Sequence, residues 1–154
     1  MLFRSGLSQG IGFAIPVDTA VAVIPDLIRF GKVMRGWFDI TMVQLDPSIV
    51  AYAGLPIDRG LLVSQVKAGG KAEKGGLKGG SQQVQYGSSI IYLGGDVIIS
   101  VNGEQVAEYA DLYGALVSTQ PGQTATVEVL RKGERKQLMI ELVERPEGME
   151  WTVR

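Results

Sequence analysis

The chain has 154 residues, 15 basic and 16 acidic side chains, a net charge of −1 and an apolar fraction of 45%. This length accommodates one domain with an appendage or two very small domains, and the balanced charge gives no basic surface for nucleic acid or an anionic membrane. The absence of Cys and His excludes disulfides, thiolate and imidazole metal sites, and Ser-His-Asp or Cys-His hydrolysis. We expect no nucleic-acid partner, no membrane contact within the chain, no metal and no cofactor.

The first 34 residues predict a short strand followed by a helix. Residues 10–15 are apolar with interspersed glycines and end at Pro16, as a strand closely approached by another backbone would. Asp18 is a suitable N-cap for the following helix, and Gly31 is a suitable end. Apolar residues recur at helical spacing between them, namely Val21, Ile24, Leu27 and Ile28.

The middle of the chain alternates between strand and helix signals. Asp46-Pro47 predicts the start of a short helix, since Asp is a good N-cap and Pro is tolerated in the first turn. Gly54 ends that helix. The other predictions for this region are an apolar run over 37–45, a strand over 61–66 and one helical turn over 72–77.

The second half opens with an inserted hairpin over 81–93, which turns at Gly87-Ser88. A short apolar strand, 97–101, then ends at Asn102-Gly103, and this pair can adopt the positive φ values of a tight turn. A helix over 108–119 and strands over 124–130 and 135–143 follow. The strands and two helices after residue 36 predict an α+β fold, a small sandwich or partly open barrel.

Two glycine-rich segments are poor matches to nucleotide-binding motifs. Residues 70–75 have P-loop spacing, but Gly76-Leu77 stands where Lys-Ser or Lys-Thr is required. Gly10-Ile11-Gly12 starts a dinucleotide fingerprint, but Ile15 takes the place of its third glycine. We interpret both segments as structural.

Three blocks in a fixed order carry a family resemblance. They are Ser8-Gln9-Gly10-Ile11-Gly12-Phe13-Ala14-Ile15-Pro16, Arg35-Gly36-Trp37-Phe38-Asp39-Ile40, and Gly75-Gly76-Leu77-Lys78-Gly79 together with Gly95 to Gly103. With them the chain resembles the HtrA (DegP-like) family of trypsin-like serine proteases, from the end of the protease domain through the first PDZ domain. The resemblance covers nearly all of residues 8–145.

The resemblance implies a domain organisation. Residues 1–34 are the remnant of a protease domain, with its last strand, helix and linker, 35–145 are a PDZ domain with an inserted hairpin at 81–94, and 146–154 are a tail. The family's catalytic residues precede Ser8, so this chain is expected to be a non-catalytic part of a serine endopeptidase. An extracytoplasmic location, periplasmic or membrane-associated in the whole protein, is also implied.

PDZ domains similar to this one bind the carboxy-terminus of a peptide, which needs convergent amide donors and an apolar pocket. The resemblance assigns the donors to the backbone of residues 38–40, an added peptide strand to the edge over 40–43, and the opposite wall to the helix over 108–119. The implied peptide-binding residues are Trp37, Phe38, Asp39, Ile40, Thr41, Met42, Tyr113 and Leu116.

Asp39 departs from the family pattern, in which glycine is usual. Its carboxylate would repel a peptide carboxylate if it pointed inward and would leave the amides usable if it pointed outward. The leading hypothesis is a module that binds carboxy-terminal or extended peptide segments and delivers or gates substrate for a catalytic domain. The alternative is a structural or homo-oligomerisation module with a closed groove.

Overall fold

The computed structural model describes residues 17–146, except for the side chains of residues 18, 19 and 22. The chain divides into two compact units, 1–33 and 34–154. Helix α1 (Val17–Phe30) lies in the first unit and already includes Asp18, whereas the prediction placed Asp18 just before the helix. The predicted strand over 10–15 and the tail from residue 147 onward lie outside the described residues. Among the helices described, none has the length and apolar character needed to cross a membrane.

The second unit is an α+β domain with open sheets. Five strands form an antiparallel sheet in the order β2-β3-β6-β8-β9, with β7 paired to β6, while β1 pairs with β10 and β4 with β5. The α+β class is confirmed, and the single-turn α3 lies where one helical turn over 72–77 was predicted. The elements are β1 (Gly36–Trp37), β2 (Ile40–Gln44), α2 (Pro47–Ala53), β3 (Leu61–Val66), α3 (Lys71–Lys74), β4 (Gln82–Tyr86), β5 (Ser89–Leu93), β6 (Val97–Val101), β7 (Glu104–Gln105), α4 (Tyr109–Leu116), β8 (Thr124–Arg131), β9 (Glu134–Glu141) and β10 (Val143–Glu144).

The main sheet packs on both faces. Alternate residues of a strand point to opposite faces, and in β2 Ile40 and Met42 join a core cluster with α4, while Val43 joins a second cluster. The second cluster contains Ile49 of α2 and Ile91 of β5. The sheet therefore has α4 on one face, and α2 with the β4–β5 hairpin on the other.

The inserted hairpin is anchored to β3. Its two-residue turn contains Gly87 at φ +57°, as its sequence predicts. Ser64 holds both ends of the insertion, because its Oγ accepts a hydrogen bond from Tyr92 N (2.9 Å) and its carbonyl accepts one from Gly80 N (2.9 Å). Ser64 is also the extra residue at the bulge where β3 pairs with β2.

A buried ion pair joins the root of the insertion to β8. Asp96 is 1% exposed, and Arg131 donates to both of its oxygens at 2.6 Å. Arg131 also donates to the carbonyl of Gly76 (2.7 Å), and Asp96 accepts from Lys78 N (2.9 Å). The hydrogen bond to Asp96 raises the pKa of Arg131 above its usual value. The pair thus fixes the segment that leads into the insertion.

Replacing Asp96→Asn is expected to lower the free energy of unfolding by about 3 kcal/mol, because removal of one partner leaves the other charge desolvated and unpaired. Urea denaturation measures this change. Glu141→Gln is the matched control, since the Lys71–Glu141 pair is roughly half exposed and is expected to contribute less than about 1 kcal/mol. Equal losses in both variants would contradict the assigned role of the buried pair.

Candidate functional site

Helix α4 lies beside β2, the edge strand of the main sheet, and Tyr109 Oη donates to Met42 O between them; we call the seam between the two elements the groove. Most of the predicted binding residues meet around it. Four of them, Trp37, Phe38, Ile40 and Leu116, are buried in the cluster that α4 shares with the sheet, and Met42 and Tyr113 are half-buried against that cluster. The fold therefore assembles these six residues from two distant parts of the sequence.

Thr41 does not join this group. It lies between Ile40 and Met42 on the strand, so its side chain projects from the opposite face of the sheet, where it is exposed and near Gln65 and Tyr92. Its backbone lies opposite Gln65 of β3. Thr41 therefore does not join the cluster with α4, and it lines a cavity together with Phe38, Asp39 and Ile40.

The pairing register identifies the backbone groups on the open edge of β2. Leu45 N donates to Gly60 O, and Lys67 N donates to Asp39 O, so these residues face β3. Bonding alternates along an antiparallel ladder, and the bulge adds its extra residue to β3 instead of β2. The backbone N–H and C=O groups of Ile40, Met42 and Gln44 therefore point away from β3, toward α4.

The loop before β2 carries unused donors. Within residues 34–146, the backbone N–H groups of Phe38 and Asp39 donate to no acceptor. The N–H of Ile40 continues this series on the open edge. Because most buried backbone donors in proteins have a partner, three consecutive unpaired N–H groups indicate a site for an external acceptor.

The Asp39 side chain is bound to α3. Its Oδ2 accepts from Lys71 N and its Oδ1 accepts from Ala72 N, both at 2.9 Å. The carboxylate thus takes the place of an N-cap for this short helix, as acidic side chains do at helix starts. This corresponds to the outward orientation considered above, in which the negative charge is compensated by amides of α3.

Gly70 makes room for this contact. A Cβ atom built on residue 70 would lie 2.0 Å from Asp39 Oδ2 and 2.8 Å from the carbonyl of Lys67. Real Cβ atoms do not approach other atoms so closely, so any other residue at position 70 would displace the Asp39 carboxylate. Asp39 and Gly70 therefore depend on each other.

An aromatic–arginine cluster of Trp37, Tyr113 and Arg145 lies at one end of the groove. The two rings have centroids 5.0 Å apart, and the Arg145 guanidinium lies 5.6 Å from the Trp37 centroid and 5.0 Å from that of Tyr113. These distances are typical of cation–π contacts. Together with Arg35, the cluster lines a cavity of about 10 Å³, room for about one water molecule.

Trp37 contributes a donor without an acceptor. In the part of the chain that the structure describes, its buried Nε1–H makes no hydrogen bond. An unsatisfied buried donor costs about 1–3 kcal/mol. The end of the groove therefore places this donor beside the guanidinium groups of Arg35 and Arg145.

Tyr109 is a groove residue that the sequence analysis missed. Its hydroxyl donates to the carbonyl of Met42 at 2.5 Å, and its backbone N lies 3.5 Å from Gln44 Oε1. Burial, with a smaller contribution from Tyr113, raises the pKa of Tyr109 above its ordinary value. The sequence signal that could have identified Tyr109 is its spacing of four residues from Tyr113, which places both residues on one helix face.

The PDZ domain family matches residues 39–142, the segment that contains the loop, β2 and α4. The chain belongs to the PDZ domain family. A probable periplasmic serine endoprotease described as DegP-like, from Ectopseudomonas mendocina (strain ymp), is 37% identical over 144 residues, which are 94% of this chain and 27% of that relative. A second DegP-like relative, from Hahella chejuensis (strain KCTC 2396), is 33% identical over 93% of this chain and 27% of its own length.

Solved structures of an HtrA-type protease and of an HtrA PDZ domain are also similar to this chain. The HtrA-type protease AlgW with a decapeptide is 32% identical, with a TM-score of 0.63 over 95% of this chain and 40% of that chain. The HtrA3 PDZ domain bound to a phage-derived ligand is 22% identical over 76% of this chain and 94% of its own, with a TM-score of 0.52, which shows a likeness of fold. The HtrA (DegP-like) resemblance is confirmed, and the periplasmic names confirm the extracytoplasmic assignment.

Replacing Asp39→Asn is expected to destabilise the PDZ domain by about 1 kcal/mol, as loss of an N-cap does, because an amide offers one acceptor oxygen where the carboxylate offers two. Hydrogen exchange should become faster at the amides of Lys71 and Ala72. Asp58→Asn is the control, since Asp58 is exposed and makes no hydrogen bond among the described residues. Unchanged exchange at both amides in Asp39→Asn would contradict the capping role.

Proposed function

We propose that this PDZ domain binds the carboxy-terminal segments of peptides or unfolded proteins in the groove between β2 and α4. In the whole protein, this binding delivers substrate to a serine endoprotease domain or gates its activity. The observation that carries the proposal is the series of three unused backbone N–H groups at Phe38, Asp39 and Ile40. A terminal carboxylate supplies the acceptors that such a series needs.

The chemistry around the loop supports an anionic ligand. The Asp39 carboxylate already accepts two hydrogen bonds from α3, so it does not compete for the loop amides. Arg35 and Arg145 lie beside the end of the groove. Hydrogen bonds from backbone donors to an ionised acceptor are stronger than those between neutral groups.

The edge of β2 supports an extended ligand. The outward groups of Ile40 and the N–H of Met42 can pair with an added strand, while the Met42 carbonyl already accepts one hydrogen bond from Tyr109. Phe38, Ile40 and Leu116 are buried in the core cluster, with Tyr113 beside them, so the apolar pocket for the last side chain of the peptide forms when α4 moves away from β2. The AlgW protease was solved with a decapeptide and the HtrA3 PDZ domain with a phage-derived ligand, which agrees with this kind of ligand.

Peptides with an apolar last residue, each prepared as a free acid and as an amide, test the proposal by calorimetric titration. Amidation is expected to weaken binding at least about tenfold, because it removes charge-assisted hydrogen bonds of about 1.5–3 kcal/mol each. Amide resonances of Phe38, Asp39 and Ile40 should shift on binding, and those of Gln83 and Gln85 in the hairpin should not. Equal binding of acid and amide would refute carboxylate recognition.

A second candidate is a structural or oligomerisation module with a closed groove. The contacts that favour it are the Tyr109 hydrogen bond to Met42 and the aromatic–arginine cluster over the end of the groove. It predicts concentration-dependent association in sedimentation, no peptide binding, and no gain in peptide affinity in Asp39→Gly. Monomeric sedimentation together with carboxylate-dependent binding would exclude it.

A further inference from the structure

The inserted hairpin leaves one strand edge open. Strand β4 pairs only with β5 in the part of the chain that the structure describes, and Tyr86 and Ser89 form the pair next to the turn. Such a closing pair exchanges hydrogen bonds, and bonding then alternates along the ladder. The backbone N–H and C=O groups of Gln83 and Gln85 therefore point away from β5. Tyr92, opposite Gln83, agrees with this alternation, because its N–H donates outside the hairpin.

This open edge lacks the protection that the edges of the main sheet have. An exposed edge strand invites pairing with another chain, and proteins prevent it with charged side chains or by covering the edge. The edge strand β9 carries Glu134, Arg135, Lys136 and Glu141, and the edge strand β2 has α4 beside it. In contrast, residues 79–95 contain no charged side chain, and every residue of β4 except the central one is exposed.

Strand β4 is complementary to a second copy of itself. In an antiparallel pair about a two-fold axis through Val84, Gln83 lies opposite Gln85 of the second copy and exchanges backbone hydrogen bonds with it. The axis repeats this pair on its other side. Each facing side chain is an amide with both donors and an acceptor, so identical glutamines satisfy one another. Because the hairpin has no charge, nothing repels a second copy and nothing selects a charged partner.

We propose that β4 is an association surface that pairs edge to edge with β4 of a second copy of this chain. The hairpin and α4 lie on opposite faces of the main sheet, so this pairing leaves the groove free and does not depend on peptide binding. An interface built on one five-residue strand buries less than about 1,200 Å², as weak and transient contacts do. The pairing therefore gains importance where several copies are held close together.

Charge substitutions on the open edge test this inference in the full chain. Gln83→Lys combined with Gln85→Lys places like charges opposite each other across the axis, which is expected to weaken self-association at least about tenfold. Gln83→Lys combined with Gln85→Glu places each new lysine opposite a new glutamate of the second copy. This chain is expected to associate again, and less so at high salt. Translational diffusion measured by NMR up to about 1 mM chain covers the range of weak affinities.

Gln137→Lys is the matched control, because Gln137 is an exposed glutamine on β9, outside the hairpin. It should leave self-association unchanged. A native chain that stays monomeric over the whole concentration range would overturn the inference, and so would equal association of the native and double-lysine chains. Failure of the lysine–glutamate chain to associate would overturn it as well, since that chain separates loss of pairing from loss of folding.

Disulfide formation tests the register, because the native chain contains no cysteine. The two-fold pairing places the Cα atom of Val84 about 4.5 Å from its counterpart, a distance that a disulfide spans. Val84→Cys is expected to form a covalent dimer with oxidised glutathione as the oxidant. Gln82→Cys is the control, because its counterpart lies about 13 Å away along the strand. Equal dimer yields in the two variants would overturn the proposed register.

Peptide binding gives an independent readout. The Kd of a free-acid peptide should be the same in the native and double-lysine chains, because β4 lies outside the groove. Self-association without peptide binding would overturn the proposed function and leave this inference standing, and peptide binding by a strictly monomeric chain would do the reverse. An extended peptide that shifts the amide resonances of Gln83 and Gln85 in the monomer would assign the edge to other chains and overturn pairing with a second copy.

Discussion

The buried Asp96–Arg131 pair is the interaction on which the arrangement of the domain depends. A buried pair stabilises a fold only when further hydrogen bonds satisfy its remaining atoms, and here Gly76 and Lys78 supply them. The backbone of Asp96 also accepts from Val63 N of β3. The pair therefore joins β8, β3 and the segment after α3, and it sets the position of that helix.

The position of α3 in turn determines how an aspartate can stand in a loop where the resemblance expects glycine. Because the first amides of α3 face the loop, the Asp39 carboxylate accepts two hydrogen bonds from them. It therefore leaves the backbone N–H groups of the loop unoccupied. Glycine is then required at position 70 instead of position 39, because a side chain at position 70 would collide with Asp39. A change of one residue in the loop is thus compensated by the helix that faces it.

Short residue motifs predicted the helix ends and the turn that depend on contacts between neighbouring residues. Asp46-Pro47 and Gly54 predicted α2, and the structure confirms it: Asp46 accepts from the first amides and Gly54 takes a left-handed φ of +61°. Asn102-Gly103 predicted a tight turn, and both residues have positive φ. In each case the residues that form the contact lie within a few positions of one another, so spacing alone reveals them.

Long-range contacts at the site could not be predicted in this way. The partners of Asp39 lie more than 30 positions away, and the Met42 carbonyl that Tyr109 contacts is a backbone group with no mark in the sequence. Side-chain type still limited the possibilities, because a tyrosine on the same helix face as Tyr113 and Leu116 has to lie along the groove. Whether the Tyr109 hydroxyl reaches a backbone carbonyl of β2 depends on the distance between β2 and α4. That distance is set by core packing among residues such as Ile40 and Leu112. The geometry of the groove is therefore a property of the packed core as much as of the residues that line it.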